Sequence, residues 1–201
     1  MNLDSLNNKQ LEAVKHIGGP ILVFAGAGSG KTRVLTHKIA YLIEEVGMDP
    51  ENIMAVTFTN KAAKEMKKRV DEILSVSSHG MTIGTFHSIS ARILRREIHL
   101  IGYTNDFTIY DQADSKSLVK EVIKDMNLDV KQFDPSFNQY QISKNKNSML
   151  SIKNAQREAV GYIDEKQAEI YANYQKSLKN NNALDFDDLI LLPLQIFSEF
   201  P

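Results

Sequence analysis

The chain contains no cysteine. Disulfides, thiolate zinc sites and cysteine nucleophiles are therefore excluded, which fits a reducing compartment, and the cytoplasm is the expected location. Long apolar runs are also missing, and none approaches the roughly 20 residues that a membrane-spanning helix needs. The start, Met1-Asn2-Leu3-Asp4, offers neither a basic nor an apolar leader region, so no secretory signal is expected. A surplus of one charge is absent overall, with 24 basic and 25 acidic side chains, so bulk charge does not advertise a nucleic-acid binder. No internal repeat or low-complexity tail interrupts the chain. What is present is 42% hydrophobic residues over 201 positions, enough for a core in one large domain or a domain with a small insertion.

The balance of charge hides an uneven distribution. Residues 57–102 carry 8 basic and 4 acidic side chains, whereas residues 183–201 carry none and 4. The basic excess falls on one central segment, which is either a solvated helix face or a surface for phosphates.

The stretch Ile21-Leu22-Val23-Phe24-Ala25-Gly26-Ala27-Gly28-Ser29-Gly30-Lys31-Thr32 runs from apolar residues into a glycine-rich turn ending Gly-Lys-Thr. It reads as a phosphate-binding loop between a buried strand and a helix. In such a loop, successive backbone N–H groups and a helix N-terminus converge on the phosphates of a nucleotide. Lys31 would add a cation and Thr32 a magnesium-binding hydroxyl. The helical pattern that follows, Val34, Leu35, Ile39, Leu42 and Ile43, supplies the expected context. Ala25 stands where the strict pattern has glycine.

Upstream, residues 6–14 predict a short helix with Asn7 as N-cap and Leu11, Val14 and Ile17 on one apolar face, ended by Gly18-Gly19-Pro20. Gln10 points off another face. Its amide has the donor and acceptor that match N7 and the 6-amino group of adenine. Downstream, Ile53–Phe58 and Met81–Phe86 are of strand length, each followed by an amphipathic helical pattern. Lys61, Lys64, Lys67, Lys68 and Arg69 crowd the first of these helices, and Arg92, Arg95 and Arg96 lie on the second. Alternating strands and helices imply right-handed crossovers, a parallel sheet and ligands at the carboxyl ends of the strands.

Two of those ends repeat one pattern, Thr57-Phe58-Thr59-Asn60 and Thr85-Phe86-His87-Ser88. A phenylalanine face can stack a nucleobase without reading its identity, and a helix N-terminus can bind phosphate. Closing a buried strand is the simpler role for either phenylalanine. His87 lacks neighbours at metal-ligand spacing. Phe107–Asp111 reads as a further strand whose Asp111 caps the next helix.

From about residue 111 the texture changes to helices joined by polar loops, a separate helical insertion. Ala168, Tyr171, Tyr174 and Leu178 form a core stripe there, and Lys144, Lys146, Lys153 and Arg157 leave DNA contact open. Residues 183–192 predict a helix whose first-turn acids complement the helix dipole; a metal site at Asp185, Asp187 and Asp188 is the alternative.

Taken in order, these pieces resemble the superfamily 1 DNA helicases of the UvrD, Rep and PcrA type. Leu6-Asn7-x-x-Gln10 with Ala13-Val14 is similar to that family's Q motif, and Ala25 through Thr32 to its motif I, alanine included. Residues 57–66 resemble motif Ia, Gly84 through Ser88 motif Ib, and Leu184–Leu189 the segment after the family's helical insertion. The resemblance implies a RecA-like phosphate-loop NTPase domain, an α/β fold with a parallel sheet and helices on both faces, interrupted by an all-helical insertion. Residues 1–110 would be the first part of the motor domain, 111–182 the insertion and 183–201 the return.

It further implies that Gln10 contacts adenine and Arg33 packs on the base, and that Ala25, Gly26, Ala27, Gly28, Ser29, Gly30, Lys31 and Thr32 hold ATP and Mg²⁺. Phe58, Thr59, Asn60, Thr85, Phe86 and His87 would lie along single-stranded DNA. The expected activity is ATP-driven 3′ to 5′ translocation and unwinding in repair or replication, acting at single/double-strand junctions and with loading or repair proteins as partners. The family's paired acids and arginine fingers come later in the sequence than residue 201, so an N-terminal piece with little ATPase activity is expected. The competing readings are the helicase subunit of a recombination helicase-nuclease, a phosphate-loop small-molecule kinase, and a binding module without turnover.

Overall fold

Both apolar runs that end in Thr-Phe become strands, and they pair with each other. In the computed structural model, which describes residues 3–75 and 78–201, β1 (Met54–Thr57) and β2 (Thr82–Thr85) run parallel with Thr57 opposite Thr85. Met1-Asn2, part of the leader reading, lies outside the described residues. The crossover between the strands is α3 (Asn60–Ile73), which buries Ala63, Met66 and Val70 on one stripe and leaves its five basic side chains exposed. That stripe meets Ile39 and Ile43 of α2 (Lys31–Glu44) and Ile53 in a shared core. A smaller core joins Ala13 and Val14 of α1 (Asn8–Lys15) to Val34 of α2. These elements form the first of two compact units, Met1–Ile89.

One expectation fails here. Ile21–Phe24 is not a buried strand: it has no sheet partner, and Leu22 and Phe24 are 78% and 89% exposed. A strand is defined by the neighbours that accept and donate its ladder hydrogen bonds. Among the described residues β1 pairs only with β2, so nothing draws this run into a sheet.

The second unit, Ser90–Pro201, begins within α4 (Phe86–Glu97), which continues as a 3₁₀ turn over Ile98–Ile101. Leu94 and Ile98 pack with Phe107, Leu184, Leu189 and Ile196, and the Arg95 guanidinium lies 3.8 Å from the Phe107 ring centre. The expected strand at Phe107–Asp111 is short, β3 (Thr108–Ile109). It pairs in parallel with β4 (Ala183–Leu184), 75 residues and four helices later. Asp111 caps α5 (Gln112–Asp125) as expected, accepting from Ala113 N at 2.7 Å and Asp114 N at 2.9 Å. Then come α6 (Pro135–Asn147), α7 (Ile152–Glu158) and α8 (Gly161–Asn180). Leu118, Val119, Val122 and Ile123 of α5 meet Ala168, Tyr171, Tyr174 and Leu178 of α8 in the larger core of this unit. The helix expected over 183–192 starts late: its first two residues are β4, and α9 covers Asp188–Glu199. The Tyr110 amide donates to the Leu184 carbonyl at 2.8 Å, holding that backbone extended.

Lys146 is a second correction. It is 2% exposed, so its ammonium is not on the surface that a DNA contact needs. Its ammonium donates to Asp185 Oδ2 at 2.7 Å and Asp188 Oδ1 at 2.8 Å. Tyr174 Oη donates to Asp185 at 2.9 Å and Gln175 Nε2 to Asp188 at 3.1 Å. The carboxylates do cap locally, since Asp188 N donates to Asp185 Oδ1 at 2.9 Å, but their main partner is a lysine from α6. Among the described residues no group of His, Cys, Asp or Glu is placed to hold a metal, so that alternative is dropped. Burial alone would hold the Lys146 pKa down; the charges of Asp188 and Asp185 outweigh it and push it up.

Removing one partner from a buried ion network leaves the others unpaired, so Lys146→Ala should lower stability by about 3–5 kcal/mol in urea denaturation. Because the Lys146 pKa is raised on folding, its contribution is full below the unfolded value and is lost as pH rises through the folded one. The stability gap between wild type and Lys146→Met should therefore narrow above pH 10.5. A gap that stays constant through that range contradicts the assignment.

Candidate functional site

The glycine-rich turn is built from residues that tolerate left-handed backbone. Gly28 and Gly30 sit at φ +75° and +89°, the alternation from which anion-binding backbone nests are made. Gly30 precedes α2, whose N-terminus has no side-chain cap and no acid in its first turn. Its first amides are therefore open to an anion, and the dipole favours one there. Lys31 Nζ donates back to the Ala25 and Gly26 carbonyls at 2.9 and 2.7 Å, and Ser29 Oγ donates to the Gly26 carbonyl at 2.7 Å. An ammonium that lies over the loop can be transferred from two neutral carbonyls to phosphate oxygens, a charge-assisted exchange. Thr32 and Arg33 occupy the first turn of α2 and are exposed, as is Ala27 in the turn.

Gln10 arrives at the same place from α1. It completes a capping box: Asn7 Oδ1 accepts from Gln10 N at 2.9 Å, and Gln10 Oε1 accepts from Asn7 N at 3.0 Å. Its Nε2 donates to the Ser29 carbonyl at 3.1 Å. A glutamine amide has two N–H donors and two lone pairs, so one of each remains for a base edge. Asn7-x-x-Gln10 is itself a capping-box spacing, so the signal for this pairing lies in the local sequence. Beside these residues is a cavity of 540 Å³ lined by Gln10, Lys31 and Lys38 on the polar side and Val23, Phe24 and Leu35 on the apolar side.

The Thr-Phe ends come together because β1 and β2 are parallel and in register. Phe58 is 92% exposed and Phe86 51%, and their ring centres lie 6.0 Å apart with planes tilted 54°. Neither phenylalanine closes a buried strand. The threonines do the structural work: Thr59 Oγ1 caps α3 by accepting from Ala62 N at 3.1 Å, and Thr85 Oγ1 accepts from Ser88 N at 3.1 Å. Thr57 Oγ1 donates to the Thr59 carbonyl at 3.0 Å. Asn60 and His87 are exposed in the first turns of α3 and α4. The Lys146 network escaped the sequence reading because its partners are 39 and 42 positions apart.

The chain is thus of the mixed α/β class, with a glycine-rich turn at an open helix N-terminus, an adjoining glutamine and two exposed aromatic strand ends. The profile of the UvrD/REP helicase N-terminal domain matches residues 6–201, and the chain belongs to that family. It is 50% identical over 199 residues to the ATP-dependent DNA helicase PcrA of Bacillus subtilis strain 168. It is 47% identical over 199 residues to the PcrA of Staphylococcus aureus strain COL, and 47% over 197 residues to that of Staphylococcus epidermidis. Those alignments cover 98–99% of this chain but 27% of each relative's length.

A methyl group at Gly84 would stand 2.6 Å from Ser88 Oγ and 3.0 Å from Ile89 Cγ1. Gly84→Ala should thus disturb the start of α4 and cost about 1–3 kcal/mol, the usual range for overpacking. Phe58→Ala removes an exposed ring and should stay within about 0.5 kcal/mol of wild type. Thermal melts of the two variants check both.

Proposed function

We propose that the chain is the N-terminal ATP- and DNA-binding portion of an ATP-dependent DNA helicase. The observation that carries this reading is the exposed Phe58–Phe86 pair in the same unit as a phosphate loop touched by Gln10. ATP suits the donors present: Lys31 and the α2 N-terminus for phosphates, the unused half of the Gln10 amide for adenine, and Arg33 beside the base. Mg²⁺ suits the Thr32 hydroxyl. In this reading the bound nucleotide supplies the energy of phosphoryl transfer, while these residues bind and orient it. Phe58 and Phe86 stack bases of single-stranded DNA, with Thr59, Asn60, Thr85 and His87 alongside the backbone.

The fold reading is a RecA-like motor domain entered at residues 1–110 and rejoined at 183–201, with 111–182 inserted. Supporting it, the chain leaves at β3 and returns on the neighbouring strand β4. The acids that complete the magnesium site and the arginines that stabilise the transition state belong to the remainder of a protein as long as the relatives. Since arginine fingers contribute about 10³–10⁵ in rate, residues 1–201 alone turn over ATP slowly. The full protein moves 3′ to 5′ on single strands, opens duplex at junctions in repair or replication, works with loading proteins and acts in the cytoplasm.

Titrating labelled poly-dT into wild type and Phe58→Ala tests the reading. Weak binding that the substitution abolishes is expected; a small-molecule kinase would ignore the DNA in both. In parallel, Lys31→Ala should weaken ATP binding at least tenfold, about 1.4 kcal/mol. Unchanged affinity would mean that the loop is not the site.

A further inference from the structure

The base-reading glutamine sits on an element that cannot position itself. α1 has eight residues, about two turns, well below the length at which a helix is stable alone in water. Its N-terminal end is tied to the phosphate loop by the contact of Gln10 with the Ser29 carbonyl. Its C-terminal end has carbonyls with no intrahelical donor. Lys38 reaches across from α2 and donates to three of them, Ala13 at 3.2 Å, Val14 at 3.4 Å and His16 at 2.5 Å. A cation placed there also meets the negative end of the α1 dipole. Burial holds the Lys38 pKa below that of a free lysine, as expected for an ammonium drawn partly out of water to make these bonds.

The position of this lysine in α2 gives the clamp its consequence. Lys38 follows Lys31 by seven residues, two turns on nearly the same face and about 10 Å along the axis. One helix therefore carries the phosphate-binding lysine at its start and the anchor of the adenine-reading helix two turns on. The distance between the phosphate nest and the Gln10 amide is held by this double attachment together with the small core of Ala13, Val14 and Val34 and the Leu3, Leu6 and Tyr41 side chains packed on it.

The geometry points to Lys38 as a positioning residue for base selection: by clamping the C-terminus of α1 it holds Gln10 at the distance from the phosphate loop at which adenine, and not guanine, is accepted. The inference rests on the nucleotide-site reading above. Lys38 lines the cavity beside the loop, but its ammonium is engaged by the three α1 carbonyls, and in this inference it acts through α1. Without the ammonium, three carbonyls lose their donor and α1 is free to shift, while the loop, Lys31 and Thr32 keep their own contacts. Discrimination between bases should fail before phosphate affinity does.

The test measures ATP, GTP and inorganic tripolyphosphate affinities by calorimetry on the 201-residue protein, with urea midpoints for every variant. Wild type should prefer ATP to GTP by about tenfold or more, the scale of one bidentate amide–adenine pair. In Lys38→Met the ratio should fall below about threefold through weaker ATP binding, with tripolyphosphate affinity within about twofold of wild type. Lys38→Arg, which keeps the donors, should restore the preference. A Lys38→Met protein that keeps the wild-type ATP-to-GTP ratio overturns the inference. So does one in which all three ligands weaken together with the urea midpoint, because Lys38 would then act on stability alone. A wild-type protein that binds no ATP, or binds ATP and GTP alike, instead overturns the nucleotide-site reading on which this rests.

Discussion

Polar groups at the ends of short elements must find partners, and most of what is distinctive in this chain is the way they do so. A backbone amide or carbonyl withheld from water without a partner costs about 1–3 kcal/mol, roughly twice the net gain from an ordinary hydrogen bond. Strands of two to four residues and a helix of eight have many ends for their length. Asn7 and Gln10, Thr59, Thr85 and Ser88, and Asp111 and Asp114 each satisfy such ends within a few positions of sequence. Lys38 does it across a helix pair.

Against that background the start of α2 stands apart. Its N-terminal amides have no capping side chain, and glycines at left-handed φ bring the backbone into it. Lys31 is turned onto loop carbonyls beside it. An open helix N-terminus with an adjacent, transferable ammonium is a site whose electrostatics are complete only with an anion. In the same unit, the parallel register of β1 and β2 brings two aromatic side chains, 28 positions apart in sequence, to a 6.0 Å separation. A shift of that register by one residue would separate them.

The second unit depends on a different economy of partners. Burying Lys146 together with Asp185 and Asp188 is expensive in desolvation and is offset only because Tyr174 and Gln175 supply further hydrogen bonds. The network ties α6 and α8 to the segment that follows β4 and so fixes where the chain goes after its long helical excursion. Asp185 and Asp188 flank the exposed Phe186, whose backbone course is set by that anchoring.

Local pattern in the sequence was enough to place β1, β2 and α2 through α5, the caps at Asn7 and Asp111, and the core stripe of α8. Each rests on spacing within a few residues, where 3.6- and 2-residue periodicities and capping chemistry act. The glycine-rich turn into α2 was legible for the same reason, since Gly28, Gly30 and Lys31 shape it from nearby positions. Tertiary structure alone decided what depends on distant partners. Ile21–Phe24 has strand composition but no neighbour among the described residues, so its apolar side chains stay in water. Lys146 looked like a surface cation until two carboxylates some forty positions away enclosed it. Phe58 and Phe86, each taken alone, suited strand-closing core, whereas the family resemblance put both on an outer surface; the fold leaves them exposed and side by side. Sequence fixes a residue's local geometry, whereas its burial and its ionic partners are set by chain segments that only the folded state brings within reach.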